Sequence, residues 1–160
     1  MARNSQSPFS LRQAVAGDVP ALRRIYSRAV SAVAPRAYTP EQFAAWRAFA
    51  DAPQFDDFVL SVNTYVAERG DELLAFCGVS DAGHVASIYV DPDHSGRGLG
   101  RMMLEQVLEL RPTPASGRYY AEASRFSVGL FTRCGFREIE RDHVMRGGVE
   151  FERILVERRA

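Results

Sequence analysis

Two kinds of hydrophobic pattern alternate along this chain of 160 residues. Residues 85–90 form a run rich in β-branched and aromatic residues that stops at Asp91-Pro92, which is typical of a buried strand. After a glycine-rich turn, apolar residues recur at steps of four, four and three, which predicts an amphipathic helix. These positions are Leu99, Met103, Val107 and Leu110. A strand, a turn and a helix therefore form the centre of the predicted structure.

The same two patterns divide the rest of the chain into short elements. Helical spacing predicts helices after Asp18, after Thr39 and over residues 127–134, with a short helix or loop over 53–60. Alternating or β-branched runs predict the other strands, over residues 9–14, 63–68, 72–80, 119–123, 137–146 and 149–156. The order β-α-α-β-β-β-α-β-α-β-β favours a mixed α/β domain with helices on both faces of its sheet.

Capping residues mark the beginning of the first two helices. Asp18 is the predicted N-cap of the first helix. Thr39, with Gln42 three residues later, forms a capping-box pattern for the second helix. On this second helix, aromatic residues at helical spacing predict a buried stripe made of Phe43, Trp46 and Phe49.

Composition places the chain among ordinary globular proteins. Apolar residues make up 46% and charged residues 25%, and the length suits one domain, predicted over residues 9–160 after a flexible N-terminus at 1–8. Formal net charge is zero, so neither nucleic acid nor a membrane surface is an expected partner. The two cysteines have no metal or redox spacing, and no apolar run forms a membrane span or a signal-peptide core. We therefore expect a cytoplasmic protein with reduced thiols.

The turn after the central strand carries the first candidate chemistry. Gly96, Gly98 and Gly100 let the backbone turn its N–H groups toward a ligand, and the following helix adds the positive end of its dipole. Arg97 and Arg101 can add charge-assisted hydrogen bonds to phosphate. The alternative is a tight connection with two surface arginines. A P-loop is excluded because the chain has no lysine, and the G-x-G-x-G spacing differs from the dinucleotide fingerprint.

In two places the sequence resembles motifs of the GNAT N-acetyltransferases. The segment S-G-R-G-L-G, from Ser95 to Gly100, is similar to the [QR]-x-x-G-x-[GA] acetyl-CoA loop, and it follows I-Y-V-D-P, which resembles the family's l-y-V-x-P strand end. About thirty residues later, L-F-T-R-C-G-F resembles the family's [LF]-Y-x-[KR]-x-G-F segment. Ser95 replaces the usual Gln or Arg, and Phe131 replaces the usual Tyr. The run A-Y-T-P-E-Q-x-x-x-W around Tyr38 is similar to a bacterial subgroup typified by YafP-like proteins.

The resemblance implies a GNAT-like fold with a mixed, mostly antiparallel sheet whose fourth and fifth strands splay apart. In that family the pantetheine arm of acetyl-CoA fills the gap and the glycine-rich loop binds the pyrophosphate. The residues implied to contact the cofactor are Tyr89, Val90, Ser95, Gly96, Arg97, Gly98, Leu99, Gly100, Arg101, Ser124 and Phe131. The implied activity moves the acetyl group of acetyl-CoA to an amine by direct transfer in a ternary complex, without a metal. A homodimer is a family-level expectation.

Two residues are candidates for the base that deprotonates the acceptor amine. His84 begins the central strand, where several relatives carry a catalytic glutamate, and an imidazole can take a proton directly or through water. The alternative for His84 is a half-exposed turn histidine. Glu122 is a carboxylate in an otherwise apolar strand and therefore needs a partner. It either pairs with an arginine structurally, or holds or deprotonates the amine.

The resemblance does not supply the acid that protonates the leaving sulfur. Most relatives have a tyrosine where this chain has Phe131, and a phenyl ring has no proton to donate. The hydroxyl groups that can substitute are those of Tyr38, Tyr89 and Ser124, with Tyr38 the first choice. Ser124 or Ser127 is also expected to cap the following helix. The acceptor is expected to be a small molecule more than a protein. The alternative function is a non-catalytic acyl-CoA-binding module or sensor.

Overall fold

The computed structural model describes residues 8–36 and 38–160. Within them the chain forms seven strands and five α-helices. In chain order these are β1 (Ser10–Gln13), α1 (Val19–Val33), α2 (Pro40–Ala48), α3 (Gln54–Leu60), β2 (Asn63–Arg69), β3 (Glu72–Val79), β4 (Val85–Val90), α4 (Leu99–Leu110), β5 (Arg118–Ala123), α5 (Val128–Arg133), β6 (Arg137–Arg146) and β7 (Val149–Arg159). Every predicted strand and helix is present, and the segment at 53–60 is a helix. The prediction of a flexible N-terminus at 1–8 lies, except for Pro8, outside the described residues.

The strands form two sheets that meet at one point. One sheet has the order β1-β2-β3-β4, with antiparallel neighbours, and the other has the order β5-β7-β6. A single parallel bridge between His84 and Tyr120 links β4 to β5, and the Tyr120 N–H donates to the Gly83 carbonyl at 3.0 Å. Among the described residues no further ladder joins these two strands, so they diverge toward their C-terminal ends. The predicted α/β fold with a splay between the fourth and fifth strands is confirmed.

The junction of the two sheets depends on Gly83. Its φ is +91°, a conformation that side chains other than glycine rarely adopt, and a Cβ at this position would lie 2.3 Å from the Arg118 carbonyl oxygen. A larger residue would therefore push β5 away from the start of β4. Gly83 thus sets where the gap between the strands begins.

β4 carries a β-bulge beside the gap. Gly78 on β3 pairs with Ser87, whereas Val79 pairs with Val85, so Ala86 has no partner on β3. A bulge increases the local twist and changes the direction of nearby backbone groups. It lies at the start of the stretch in which β4 and β5 separate.

Helices cover both faces of the structure, as predicted. On one face, α4 packs with fully buried Met103 and Leu104 over a core shared by both sheets. On the other, α1 and α3 cover a second core that includes Leu22 and Phe76. Burying each such side chain contributes about 1.5–3 kcal/mol relative to leaving it exposed. Within residues 8–36 and 38–160, no helix combines the length and apolar character needed to cross a membrane.

Asp18 precedes α1 as predicted, but its carboxylate does not cap the helix. It accepts two hydrogen bonds from the Arg12 guanidinium, at 2.8 and 2.9 Å, and a third from the Val15 N–H at 2.8 Å. A charged, bidentate donor makes stronger hydrogen bonds than the neutral N–H groups of the first turn. The prediction of a side-chain cap is therefore wrong at Asp18, and the carboxylate instead joins β1 to α1.

The beginning of α2 matches its predicted capping box, and its aromatic stripe packs on the core without being fully buried. The Gln42 N–H donates to Thr39 Oγ1 at 3.1 Å, and the Thr39 N–H donates to Gln42 Oε1 at 3.0 Å. The predicted stripe of Phe43, Trp46 and Phe49 is partly buried against the second core. Trp46 also lines a cavity, because α2 lies beside the gap between the sheets.

Candidate active site

The gap between β4 and β5 opens into a cavity of about 350 Å³. Its walls come from these two strands and the turns that follow them, from α1, α2 and α5, and from the hairpin of β6 and β7. A concave site of this volume is in the range that holds small ligands. The splay of the strands therefore creates the candidate site.

One wall of the cavity is an unpaired strand edge. β3 occupies one edge of β4, and beyond the His84 bridge no described strand pairs with the other edge. The free N–H and C=O groups of such an edge can bind an extended chain of amides. Tyr89 and Val90, which were predicted to lie beside pantetheine, line the cavity along this edge.

The loop that follows β4 presents unpaired N–H groups. Gly96 and Gly98 have φ of +75° and +78°, and no atom lies within 4 Å of a Cβ placed at either position. Gly98 is the N-cap of α4, and no side chain caps the first turn of this helix. The N–H groups of that turn and the positive end of the helix dipole are therefore available to phosphate.

Of the predicted loop residues from Ser95 to Arg101, only Ser95 belongs to the lining of the cavity. Ser95 lines the cavity, and its hydroxyl donates to the Pro92 carbonyl at 3.0 Å. Arg101 pairs with Glu105 on the next turn of α4, at 3.1 Å. Arg97 is exposed to solvent, and Leu99 is buried in the core. Backbone groups are therefore the main cofactor contacts that this loop can offer.

His84 and Glu122 are in contact where β4 and β5 begin to diverge. The His84 Nε2 lies 2.5 Å from Glu122 Oε2, and the imidazole ring stacks on Tyr120 with centroids 5.0 Å apart. The hydrogen bond from His84 holds the pKa of Glu122 below its ordinary value, so the carboxylate is ionised and the Nε2–H donates. Glu122 lines the cavity, whereas His84 does not. The partner that Glu122 requires is thus a histidine and not an arginine.

Tyr38 belongs to a cluster of aromatic rings in the cavity wall. Its ring centroid lies 5.4 Å from that of Trp46, 5.5 Å from Phe126 and 5.9 Å from Phe151. The Arg125 guanidinium lies over the same ring, 5.5 Å from its centroid. Burial raises the pKa of Tyr38, so the phenol keeps its proton at neutral pH and can donate a hydrogen bond.

Phe131 and the two serines before α5 also line the cavity. The Phe131 ring is buried and packs edge-to-face on Phe136, with centroids 5.1 Å apart. The serines close the turn between β5 and α5: Ser127 Oγ accepts from the Ser124 N–H at 2.9 Å, and Ser124 Oγ accepts from the Phe126 N–H at 3.2 Å. Neither side chain caps α5 itself, because both hydroxyls are used within the preceding turn.

Sequence reasoning missed several side chains that the fold brings to the cavity from distant segments. These are Trp46, Phe126, Arg146, Phe151, Glu152 and Arg153. Apart from Trp46, which ends the A-Y-T-P-E-Q-x-x-x-W run and was assigned to the core, they belong to no motif. Strand alternation, which puts Phe151 and Arg153 on one face of β7, was an available signal.

Neither cysteine lines the cavity. Burial raises the pKa of the Cys77 and Cys134 thiols, so both stay protonated at neutral pH. In the part of the chain that the structure describes, no group of three or more metal-ligand side chains is present.

Comparison with known proteins agrees with this geometry. A family profile described as an acetyltransferase (GNAT) domain matches residues 35–153. An Escherichia coli protein described as uncharacterized N-acetyltransferase YafP is 25% identical over 144 residues, which cover 89% of this chain and 91% of that protein. An uncharacterized Mycobacterium leprae protein, ML0378, is 33% identical over 100 residues. That match covers 55% of this chain and only 27% of the mycobacterial protein.

Solved structures share the fold over nearly the whole chain. A GCN5-related N-acetyltransferase from Rhodopseudomonas palustris has a TM-score of 0.90 at 20% identity, covering 99% of this chain and all of that one. The PaiA N-acetyltransferase of Thermoplasma acidophilum, solved with coenzyme A, has a TM-score of 0.77 at 12% identity, covering 97% and 100%. The Salmonella typhimurium protein yncA, solved with acetyl-CoA, has a TM-score of 0.62 at 20% identity, covering 96% and 94%.

The splayed sheet and its open glycine loop define an acetyl-CoA-dependent N-acetyltransferase. The chain belongs to the GNAT acetyltransferase family, with YafP among its bacterial relatives. The predicted family, enzyme class and co-substrate are thereby confirmed.

Proposed function

We propose that the protein acetylates the amino group of a small molecule, by direct transfer while acetyl-CoA and the acceptor are bound together. The single observation that supports this most strongly is the position of Glu122. Its ionised carboxylate lines the cavity beside the unpaired edge of β4, which is suited to the pantetheine arm. A bound acceptor amine would therefore lie next to both a proton acceptor and the thioester.

The acceptor amine must lose a proton as it forms its bond to the acetyl carbon. Glu122 holds the ammonium group of the acceptor and takes its first proton, which passes to solvent and leaves a neutral amine that can attack the acetyl carbon. The carboxylate then takes the second proton, which the nitrogen loses after the C–N bond has formed. His84 is a positioning residue, because it holds the carboxylate through the 2.5 Å hydrogen bond and does not itself line the cavity. The lowered pKa of Glu122 favours return of the proton to solvent, to which both side chains are partly exposed.

The sulfur needs a hydrogen-bond donor as the C–S bond breaks. Acetyl-CoA supplies an activated acetyl thioester, whose departing thiolate ends as a thiol. We assign the donor to Tyr38, because its phenol is half-buried in the cavity wall and keeps its proton at neutral pH. Phe131, at the position where relatives have a tyrosine, has no hydroxyl group to offer.

Direct transfer, without an acetylated enzyme, is favoured by the positions of the cysteines. Both thiols are buried in the core, and burial raises the pKa of each. A thiolate that could accept the acetyl group from the cofactor is therefore missing from the described cavity wall.

A small acceptor is favoured by how the cavity is enclosed. The hairpin of β6 and β7 packs on α2, where Gln42 Nε2 donates to the Glu150 carbonyl at 2.9 Å. The 350 Å³ cavity must also hold the thioester end of the cofactor. The remaining space suits a molecule of modest size better than a folded protein surface.

The test is amine-dependent release of coenzyme A with a panel of primary amines, with the acetylated products identified by mass. Glu122→Gln should lower kcat about 10²–10⁴-fold and leave acetyl-CoA binding unchanged. Glu157→Gln is the matched control, because Glu157 is also an ion-paired carboxylate on the same sheet, with 27% of its side chain exposed against 29% for Glu122. If acetyl-CoA binds but no amine is acetylated, the protein is a non-catalytic acyl-CoA-binding module.

A further inference from the structure

One charged side chain in the cavity wall has no role in the proposed reaction. Arg146 is the last residue of β6, immediately before the Gly147-Gly148 turn, and it lines the cavity while remaining exposed to solvent. Among residues 8–36 and 38–160, its guanidinium has no hydrogen-bond acceptor and no carboxylate within ion-pair distance. Its five N–H donors are therefore available to a ligand.

The other charged side chains of the cavity wall are each paired. These pairs are Glu122 with His84 at 2.5 Å, Glu152 with Arg141 at 3.6 Å, and Arg153 with Asp142 at 2.7 and 2.9 Å. Among the charged side chains of the described wall, Arg146 is thus the one whose charge no carboxylate balances. An anionic group on a bound molecule would balance it.

Arg146 lies beside α2, because a Cβ at the next residue, Gly147, would be 3.7 Å from the Ala45 Cβ on that helix. Burial raises the pKa of the Tyr26 and Tyr89 phenols, and the positive charge of Arg146 opposes this rise at both. Tyr26 is on α1, and its hydroxyl donates to the Trp46 carbonyl on α2 at 2.8 Å. Arg146 therefore belongs to the part of the wall formed by the first two helices, and not to the glycine loop before α4.

The side chains that share this part of the wall are mostly aromatic. Tyr38, Trp46, Phe126 and Phe151 form the ring cluster described above. Aromatic walls favour a flat or large apolar group, through area burial and edge-to-face contacts. The wall thus combines three features: a carboxylate at Glu122, an apolar cluster and a free guanidinium.

We propose that the acceptor is an amino acid-like molecule, which carries a primary amine, an aromatic or large apolar group and a carboxylate. The amine binds at Glu122, the apolar group packs on the ring cluster, and Arg146 binds the carboxylate through paired N–H donors. This assignment rests on the proposed acetyltransferase activity. It adds that Arg146 selects acceptors by their negative charge.

Two pairs of amines test the assignment at saturating acetyl-CoA. Phenylalanine is compared with phenethylamine, and 4-(aminomethyl)benzoate with benzylamine, so that each pair differs by the carboxylate and the two pairs place it at different distances from the amine. The wild-type protein should prefer the charged member of at least one pair about 10–100-fold in kcat/KM, mainly through KM. Arg146→Gln should abolish this preference with little change in kcat for the neutral amines.

Arg137→Gln is the control, because Arg137 is an arginine on the same strand that does not line the cavity. It should retain the preference of the wild type. Thermal unfolding of all three proteins should agree, since Arg146 is exposed and forms no ion pair with any described residue. If Arg146→Gln keeps the preference, or if neutral and charged amines are acetylated equally well, the assignment is overturned while the acetyltransferase activity stands. If acetyl-CoA binds and no amine of either kind reacts, the activity itself fails, and the assignment fails with it.

Discussion

The cofactor side of the cavity and its acceptor side are built from different parts of the chain. On the proposed cofactor side, the available contacts are mainly backbone groups: the open edge of β4, which lines the cavity, and the N–H groups of residues 96–100, which follow the lining residue Ser95. On the acceptor side they are side chains, namely Glu122, the ring cluster around Tyr38, and Arg146. The first side comes from one continuous segment, whereas the second collects residues from α2, β5, β6 and β7.

This difference separates what is shared with other acetyltransferases from what is particular to this chain. Contacts made by backbone groups depend on where strands end and where glycines lie. Most side-chain substitutions therefore leave these contacts in place. That explains how folds at 12–20% identity can still superpose over the whole chain. Side-chain contacts change with single substitutions, and they determine which acceptor is bound. The two sides should therefore respond separately to mutation.

The largest effect on acetyl-CoA binding is expected on the proposed cofactor side, at Gly98. Gly98→Ala places a side chain at φ +78°, which costs about 1–2 kcal/mol, and puts a methyl group where the phosphate approaches. The Kd for acetyl-CoA should rise about tenfold or more, while the relative rates with different amines stay unchanged. Gly117→Ala is the matched control, because Gly117 has φ +70° and open space around it but lies just before β5, away from the loop that precedes α4. Calorimetry should show wild-type affinity for this control, and equal losses in both variants would mean that strain alone is responsible.

A smaller effect is expected at the boundary of the two sides, at Tyr38. Tyr38→Phe keeps the ring contacts with Trp46 and Phe151 but removes the proposed donor to the sulfur. We expect kcat to fall about tenfold, with the acetyl-CoA Kd unchanged. Steady-state kinetics with one good amine measure this directly. A variant with wild-type kcat would return the role of acid to Tyr89, Ser124 or solvent.

The pH dependence should distinguish Glu122 from His84 as the base. The hydrogen bond from His84 keeps the pKa of Glu122 below its ordinary value of 4.5. His84→Ala removes this bond, so the pKa of Glu122 should rise and the acid limb of kcat/KM should move to higher pH. Activity near neutral pH should fall only modestly, because the carboxylate is still ionised there. Loss of most activity at every pH would instead identify His84 as the base.

The smallest effect on binding and catalysis is expected at Asp18, because this residue lies outside the cavity. Asp18→Asn breaks the ion pair with Arg12 and should lower the free energy of unfolding by about 2 kcal/mol at neutral pH, with Kd and kcat unchanged. The Arg12 hydrogen bonds hold the pKa of Asp18 below its ordinary value of 3.8. This stabilisation is therefore complete above that value and is lost as the pH falls through the folded-state pKa. The stability difference between the two proteins should shrink on acidification, and a constant difference would contradict the assignment.

The sequence predicted the cofactor side much better than the acceptor side. The strand at residues 85–90, the glycine turn and the helix from Leu99 are one continuous pattern, and local physics determines their structure. Glu122 could be singled out because a carboxylate is unusual within an apolar strand. Its partner could not be named, because His84 and Glu122 are 38 positions apart and meet only through the bridge between β4 and β5. Arg146 gave no signal, because a free arginine and a paired one look the same in a sequence.

The measurement that tests this division most directly is calorimetric titration of acetyl-CoA into the wild-type, Gly98→Ala and Glu122→Gln proteins, with kcat measured on the same samples. Our account predicts that Gly98→Ala weakens binding about tenfold or more, whereas Glu122→Gln binds like the wild type but transfers acetyl groups at least about a hundredfold more slowly. Weak binding by Glu122→Gln, or unchanged binding by Gly98→Ala, would show that the two sides of the cavity are not separate.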